Sequence, residues 1–296
     1  MKKIIITLLT LFCAILLISC AETKSENDTV ILGGIKYFFN ESEEGSYYSA
    51  RAADKTITTA QVAAYINGYP VKYLPDHAFY DCKLLESISL PNSIDTMGDY
   101  AFWGCSSLKT ISLPDSIEEI GFQCFQYCRS LESIDMPDEL KEISWEAFEY
   151  CSKLKEVELP EGVTGIGEKA FLECTSLEHI KMPETMSYIG KMAFWECNNL
   201  KEIRIPQGIT SIQKGTFHDC INLEKIYIPK SVEWIGTLSF DYDGESCKSL
   251  EIYYEGTEAD WENIVHEKTG DAVHDMYDRT RFRLQINNLT FESARP

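Results

Sequence analysis

Apolar and polar positions along most of this chain repeat with a period of 23 residues. Phenylalanine returns at Phe79, Phe102, Phe125, Phe148, Phe171, Phe194, Phe217 and Phe240. A fixed period of this length marks one small supersecondary unit copied end to end. Within a unit the pattern switches. Taking Leu108 to Leu113, apolar and polar residues alternate around Ile111, which predicts a short strand with one face buried. Pro114 then closes the strand, Ile117 and Ile120 form a second apolar pair on the return side, and Cys124 with Phe125 opens the next unit. A single coil of this size cannot bury its own apolar edge, so stability must come from coils stacking like on like. At about 4.8 Å per coil, eight units give a stack roughly 40 Å long.

Other slots keep the same register. Cysteine stands three residues after Phe at Cys82, Cys105, Cys128, Cys151, Cys174, Cys197 and Cys220, and proline recurs from Pro91 to Pro229. Seven units are regular, and an eighth begins at Ser239 with four extra residues, Asp243 to Ser246, that displace its cysteine to Cys247. Val71 and Leu74 fall one period before Ile94 and Met97 and define a truncated first unit. The frame Ala-Phe-x-x-Cys-x-x-Leu-x-x-Ile-x-Leu-Pro-x-x-Val-x-x-Ile-Gly resembles the BspA-like family of bacterial leucine-rich repeats over roughly residues 65 to 264. The resemblance implies a leucine-rich-repeat solenoid of stacked short parallel strands with little helix. Departures are few: Ser144 and Gln213 replace the repeat glycine, and Cys124 and Thr216 replace the alanine.

The expected organisation is a signal peptide over 1–19, a lipidated polar tether over 20–29 and a β-rich N-terminal cap with the truncated repeat over 30–77. The solenoid follows over 78–252, then a C-terminal cap and tail over 253–296. Asn67-Gly68 predicts a tight turn before Val71. Thr257 to Glu267 reads as a short helix with Thr257 as its N-cap, and the alternation of Phe282, Leu284 and Ile286 suggests a last strand.

Lys2 and Lys3 precede an apolar run from Ile4 to Ile18, the layout of a secretory signal. At about 15 residues the run is short of the roughly 20 that span a bilayer. Leu17-Ile18-Ser19-Cys20 resembles a bacterial lipobox, which implies lipid attachment at Cys20. The expected address is then the bacterial outer membrane or cell surface.

Charge narrows the partners. The full chain carries −20, and removal of Lys2 and Lys3 leaves 25 basic against 47 acidic residues, which argues against nucleic acid. The nine cysteines that would remain in the mature chain cannot all pair within it. A constant inward slot reads better as a small buried hydrophobe, although stacked coils do bring neighbours within bridging distance.

No Ser, His and acid set shares a location that the repeat would assemble, and neither His266 nor His274 has metal-ligand spacing. Asp241-x-Asp243-Gly244 resembles part of a calcium loop but lacks its closing Glu. No catalytic residue, metal or cofactor is therefore expected. The residue after the repeat Leu alternates without exception, Glu86, Lys109, Glu132, Lys155, Glu178, Lys201, Glu224, either as a register lock between coils or as a solvated column.

The outward strand face is the candidate binding surface, as one continuous wall. Its columns run Ser89, Ser112, Asp135, Glu158, Lys181, Arg204, Tyr227 and Ser87, Thr110, Ser133, Glu156, His179, Glu202, Lys225. The first passes from neutral through acidic to basic and aromatic, and could set a partner's register. The family resemblance implies a non-enzymatic surface protein that binds host or bacterial proteins. The alternative is a carbohydrate-binding accessory protein of a surface uptake system, using the exposed aromatics Trp103, Trp145, Trp195 and Trp234.

Overall fold

Strands of the wall are short, and Ser87–Ser89, Thr110–Ser112 and Ser133–Asp135 each read exposed, buried, exposed over three residues. The period-2 alternation of the sequence therefore points the central Ile inward. Proline has no N–H to extend the ladder, and the chain turns there. The carbonyls of Pro91, Pro114, Pro137 and Pro160 each accept the N–H three residues on, at 3.1 Å. The computed structural model describes residues 29–240, 250–266 and 289–291. The apolar N-terminal run, Cys20, the insertion loop with Cys247, His274 and the expected strand at Phe282 to Ile286 lie outside these.

Coils stack in register. Thr110–Ser112 pairs in parallel with Ser133–Asp135, Glu156–Glu158 with His179–Lys181, and Glu202–Arg204 with Lys225–Ile228. Residues one period apart are thus neighbours. A second ladder on the return side joins Glu119–Ile120, Glu142–Ile143, Gly165–Ile166 and Tyr188–Ile189 in parallel. Between the ladders lies a spine of phenylalanine rings from Phe79 to Phe240. Successive centroids lie 5.2–5.9 Å apart with interplanar angles of 1–6°. This is the offset parallel stacking that aromatic quadrupoles prefer. The molecule is a solenoid built almost wholly of strands.

The third side of each coil carries its own ladder, which is not a strand. Residues two before and two after the Phe adopt left-handed backbone, for example Gln123 (φ 52°) and Tyr127 (φ 63°), or Glu146 (φ 56°) and Tyr150 (φ 63°). The amides of Gln123, Phe125 and Tyr127 then donate to the carbonyls of Trp145, Ala147 and Glu149 on the next coil. The cost of left-handed backbone at residues other than glycine is set against three inter-coil hydrogen bonds per unit.

The cysteine slot is also a hydrogen-bonding slot. The thiols of Cys105, Cys128, Cys151, Cys174, Cys197 and Cys220 lie 3.0–3.3 Å from the carbonyls of Phe79, Phe102, Phe125, Phe148, Phe171 and Phe194. All eight described cysteines are buried free thiols. Burial pushes the Cys82 thiol up to about 11 and those deeper in the stack well above their usual value, so thiolate chemistry is suppressed.

At the N-terminus β1 (Val30–Leu32), β2 (Ile35–Ser42) and β3 (Gly45–Ala52) form an antiparallel meander. β4 (Thr59–Gln61) then begins the wall by pairing with Ser87–Ser89. β5 (Tyr65–Ile66) and β6 (Tyr69–Leu74) form a hairpin around Asn67 (φ 51°) and Gly68 (φ 84°), the left-handed pair that a two-residue turn requires. β6 lies beside Thr96–Met97 with Leu74 opposite Met97, which makes it the truncated coil read from the sequence.

The C-terminal helix α1 runs Glu258–Glu262 and is capped by Thr257 through a reciprocal box with Asp260. It is shorter than the expected Thr257 to Glu267. Val265–His266 instead joins the return ladder beside Trp234–Ile235, so the coil template overrides local helix propensity. Among the described residues no helix is long and apolar enough to cross a membrane.

Candidate functional site

The six residues expected to contact a partner lie on neighbouring strands of the wall. Asp135, Glu158, His179, Lys181 and Arg204 are exposed, and Tyr227 is half-buried. The basic end of the column is tied down within the chain. Lys181 pairs with Glu158. The Arg204 guanidinium lies 4.1 Å from the centroid of Tyr227 and 3.7 Å from a carboxylate oxygen of Glu255, while Tyr227 stacks on Tyr253 at 4.8 Å. Arg204 and Tyr227 are thereby held as one rigid cation–aromatic unit.

The wall is not one continuous ladder, contrary to the expectation from the repeat. It is hydrogen-bonded as three sheets, with lapses between Ser133–Asp135 and Glu156–Glu158 and between His179–Lys181 and Glu202–Arg204. These are the two places where the first column sets like charges side by side, Asp135 against Glu158 and Lys181 against Arg204. Directly opposed like charges destabilise a strand pair. Flanking bonds such as the Lys155 amide to the Glu132 carbonyl keep the coils in register.

The alternating column beside the wall stacks as read, with Lys109, Glu132, Lys155 and Glu178 each donating a backbone N–H to the residue one period earlier. Within that column and among the described residues, a side-chain ion pair forms only at Lys109 and Glu86, 3.0 Å apart. Alternation here avoids repulsion more than it supplies pairs, because exposed long side chains gain little from closing.

The phenylalanine edge carries a polar cluster that the repeat frame conceals, since its members sit in variable slots. Trp103 donates from Nε1 to Gln126 Oε1 at 2.6 Å, Gln126 donates to the buried Glu149, and Glu146 accepts from Gln123 and, at 3.0 Å, from Lys169. Tyr80 stacks on Trp103 at 4.6 Å and Tyr127 on Tyr150 at 4.7 Å. This placement corrects the expectation that four tryptophans are exposed. Trp103 is half-buried between Tyr80 and Tyr127, Trp195 packs against His218 at 4.0 Å, and Trp234 is half-buried. Trp145 alone of the four is open to solvent, at 59% exposure.

Burial, opposed by the Gln126 hydrogen bond and reinforced by Glu146, raises the pKa of Glu149. A carboxyl with a raised folded pKa stabilises the fold fully below its unfolded pKa and loses that contribution as pH rises through the folded value. Its charge at neutral pH is therefore a cost. Glu149→Gln keeps an acceptor for Gln126 and is expected to raise the thermal midpoint at about pH 7 more than at about pH 4. Paired melting curves at the two pH values check this.

Among the described residues no group of three or more His, Cys, Asp or Glu could hold a metal ion. What the geometry offers is surface, with stacked short strands, a fixed spine and side chains presented at one coil's spacing. These features define a leucine-rich-repeat solenoid. The chain belongs to the BspA type leucine rich repeat region family, whose model matches it in six copies over residues 72–198 and 118–251.

The crystal structure of a leucine-rich repeat protein from Bacteroides ovatus is similar, with a TM-score of 0.67 at 29% identity over 77% of this chain. The chain spans 65% of that protein's length. The T. pallidum leucine rich repeat protein gives a TM-score of 0.50 at 21% identity over 87% of this chain and 97% of its own, a likeness of fold. No curated protein matches the sequence. Proteins of this family and fold are generally non-enzymatic, bind other proteins and are typically found at the cell surface.

Proposed function

We propose that this chain is an exported, lipid-anchored surface protein, held through Cys20, that binds a host or bacterial surface protein along its strand wall. The observation that supports the wall as the site is its like-charge pairing. Asp135 beside Glu158 and Lys181 beside Arg204 coincide with both lapses in the wall ladder. A partner with the opposite order of charges would relieve both repulsions and be fixed in register. Tyr227, held against Arg204, supplies the rigid aromatic and arginine anchor typical of binding hot spots.

Pull-down from host-matrix, plasma and bacterial-surface extracts identifies the partner. Titration of that partner against the triple variant Lys181→Ala, Arg204→Ala, Tyr227→Ala then tests the face. The expected loss is about 2 kcal/mol or more, roughly thirtyfold in affinity. Unchanged affinity would place the binding site on another surface.

A further inference from the structure

The return face carries a second candidate site, at the one coil whose outward slot has no side chain. That slot reads Thr96, Glu119, Glu142, Gly165, Tyr188, Ser211, Trp234 along the stack. Into the gap lean two exposed rings from the coils on either side. A Cβ built on Gly165 would stand 3.9 Å from Tyr188 Cδ1, and one built on Gly167 would stand 2.7 Å from Trp145 Cδ1. Gly165 and Gly167 are themselves buried, with the Tyr188 ring beside the first and Trp145 beside the second. Trp145 and Tyr188, 59% and 43% exposed, thus flank the Gly165–Gly167 segment from the coils on either side. Burial first, and then the charges of Glu168 and Glu142, raise the pKa of the Tyr188 phenol, and Glu142 lies opposite Gly165 in the ladder.

Charge makes the second observation. Glu119 and Glu142 are directly opposed in the ladder, an arrangement that destabilises a strand pair. Ser144 donates to Glu119 at 2.9 Å, and among the described residues no ion pair reaches Glu119, Glu142 or Glu168, although Lys141 and Lys191 are close in the chain.

Elsewhere this chain covers aromatic rings with its own cations: Arg204 over Tyr227, Lys55 over Tyr80, and Arg129 near Tyr127 and Tyr150. Among the described residues no cation lies over Trp145 or Tyr188. The geometry points to a receptor for an arginine-bearing basic segment of a partner protein, with a guanidinium seated between Trp145 and Tyr188 and held by Glu142 and Glu168. A planar cation satisfies the rings and the carboxylates together. A neutral glycan would stack on the rings but leave the Glu119 and Glu142 repulsion in place. The site lies on a different face from the strand wall and does not depend on it.

The test titrates the full chain with the peptide Arg-Gly-Arg-Gly-Arg, and with its neutral citrulline analogue as control. The arginine peptide is expected to bind in a salt-dependent way and the citrulline peptide not to bind. Trp145→Ala with Tyr188→Ala, and separately Glu142→Gln with Glu168→Gln, should each weaken binding about tenfold. Glu161→Gln with Glu184→Gln, exposed carboxylates in other slots, should leave it within about twofold, as should the wall variant at Lys181, Arg204 and Tyr227.

Equal losses in all carboxylate variants would show diffuse charge attraction and overturn the site. No peptide binding would also overturn it, as would a neutral oligosaccharide bound through Trp145 while the peptide is indifferent to that residue. Independently of any ligand, Glu119→Gln with Glu142→Gln should raise the melting midpoint at low salt, and a fall would contradict the repulsion on which the inference rests.

Discussion

Phe148→Ala is expected to cost about 3–5 kcal/mol and to weaken the array on both sides of the substituted coil. Phe148 is fully buried, and its ring stacks on Phe125 and Phe171 at 5.3 Å each, at 3° and 5°. Alanine there removes one ring from two stacked pairs and leaves a cavity that the flanking coils cannot close without breaking register. Coils in a solenoid touch only their neighbours, so the array is cut near its middle. Phe79→Ala, at the N-terminal end of the spine, should cost less because within the spine it stacks on Phe102 alone, at 5.2 Å. Denaturant unfolding of the two variants checks the prediction. A larger loss at Phe79 than at Phe148 would contradict it.

Gly190→Ala is the second large effect, expected at about 1–3 kcal/mol for the addition of a single methyl. A Cβ on Gly190 would stand 2.5 Å from the Glu168 amide nitrogen and 2.5 Å from the Gly167 carbonyl carbon. These are backbone atoms of the neighbouring coil and cannot swing aside. The inter-coil bond at this slot is 2.8 Å for Gly98, Gly167, Gly190 and Gly236, each donating to the coil before. Where Ser144 occupies the slot the bond lengthens to 3.2 Å. Chemical denaturation of the variant reads the cost, and hydrogen exchange at the Gly167 and Gly190 amides should localise it to this ladder.

The period made the coil, the spine and both ladders legible, because a residue repeated at constant spacing must meet its own copies. Asn67-Gly68 was equally legible, since a two-residue turn with both φ values positive demands those residues. The left-handed pair flanking each Phe from Phe79 to Phe217 was hidden, because residues such as His77, Gln123, Lys169 and Met192 stand there instead of glycine and tertiary hydrogen bonds override local preference. The thiol contacts were hidden for a different reason. Burial alone accounts for a cysteine column, and only coordinates show each thiol beside a phenylalanine carbonyl.

Of the candidate surfaces, the wall column could be written from the sequence, but the lapses in its ladder and the tethering of Arg204 by Tyr227 and Glu255 could not. Those depend on which neighbouring charges actually close. The return-face patch left a trace in the sequence, a glycine in a slot otherwise filled by Thr, Glu, Ser, Tyr or Trp. Its meaning depends on rings contributed by adjacent coils.

The central claim is that residues one period apart are neighbours at one coil's spacing. Spin labels on engineered cysteines at Ser87 and at Glu156, Glu202 or Lys225, with Cys13, Cys20 and Cys247 changed to serine, measure it directly while the buried native thiols stay unlabelled. The separation is expected to grow linearly at about 4.8 Å per coil, through roughly 14 and 24 Å to 29 Å for three, five and six coils. Separations that do not increase with the number of intervening periods would contradict the stack and both surfaces built on it.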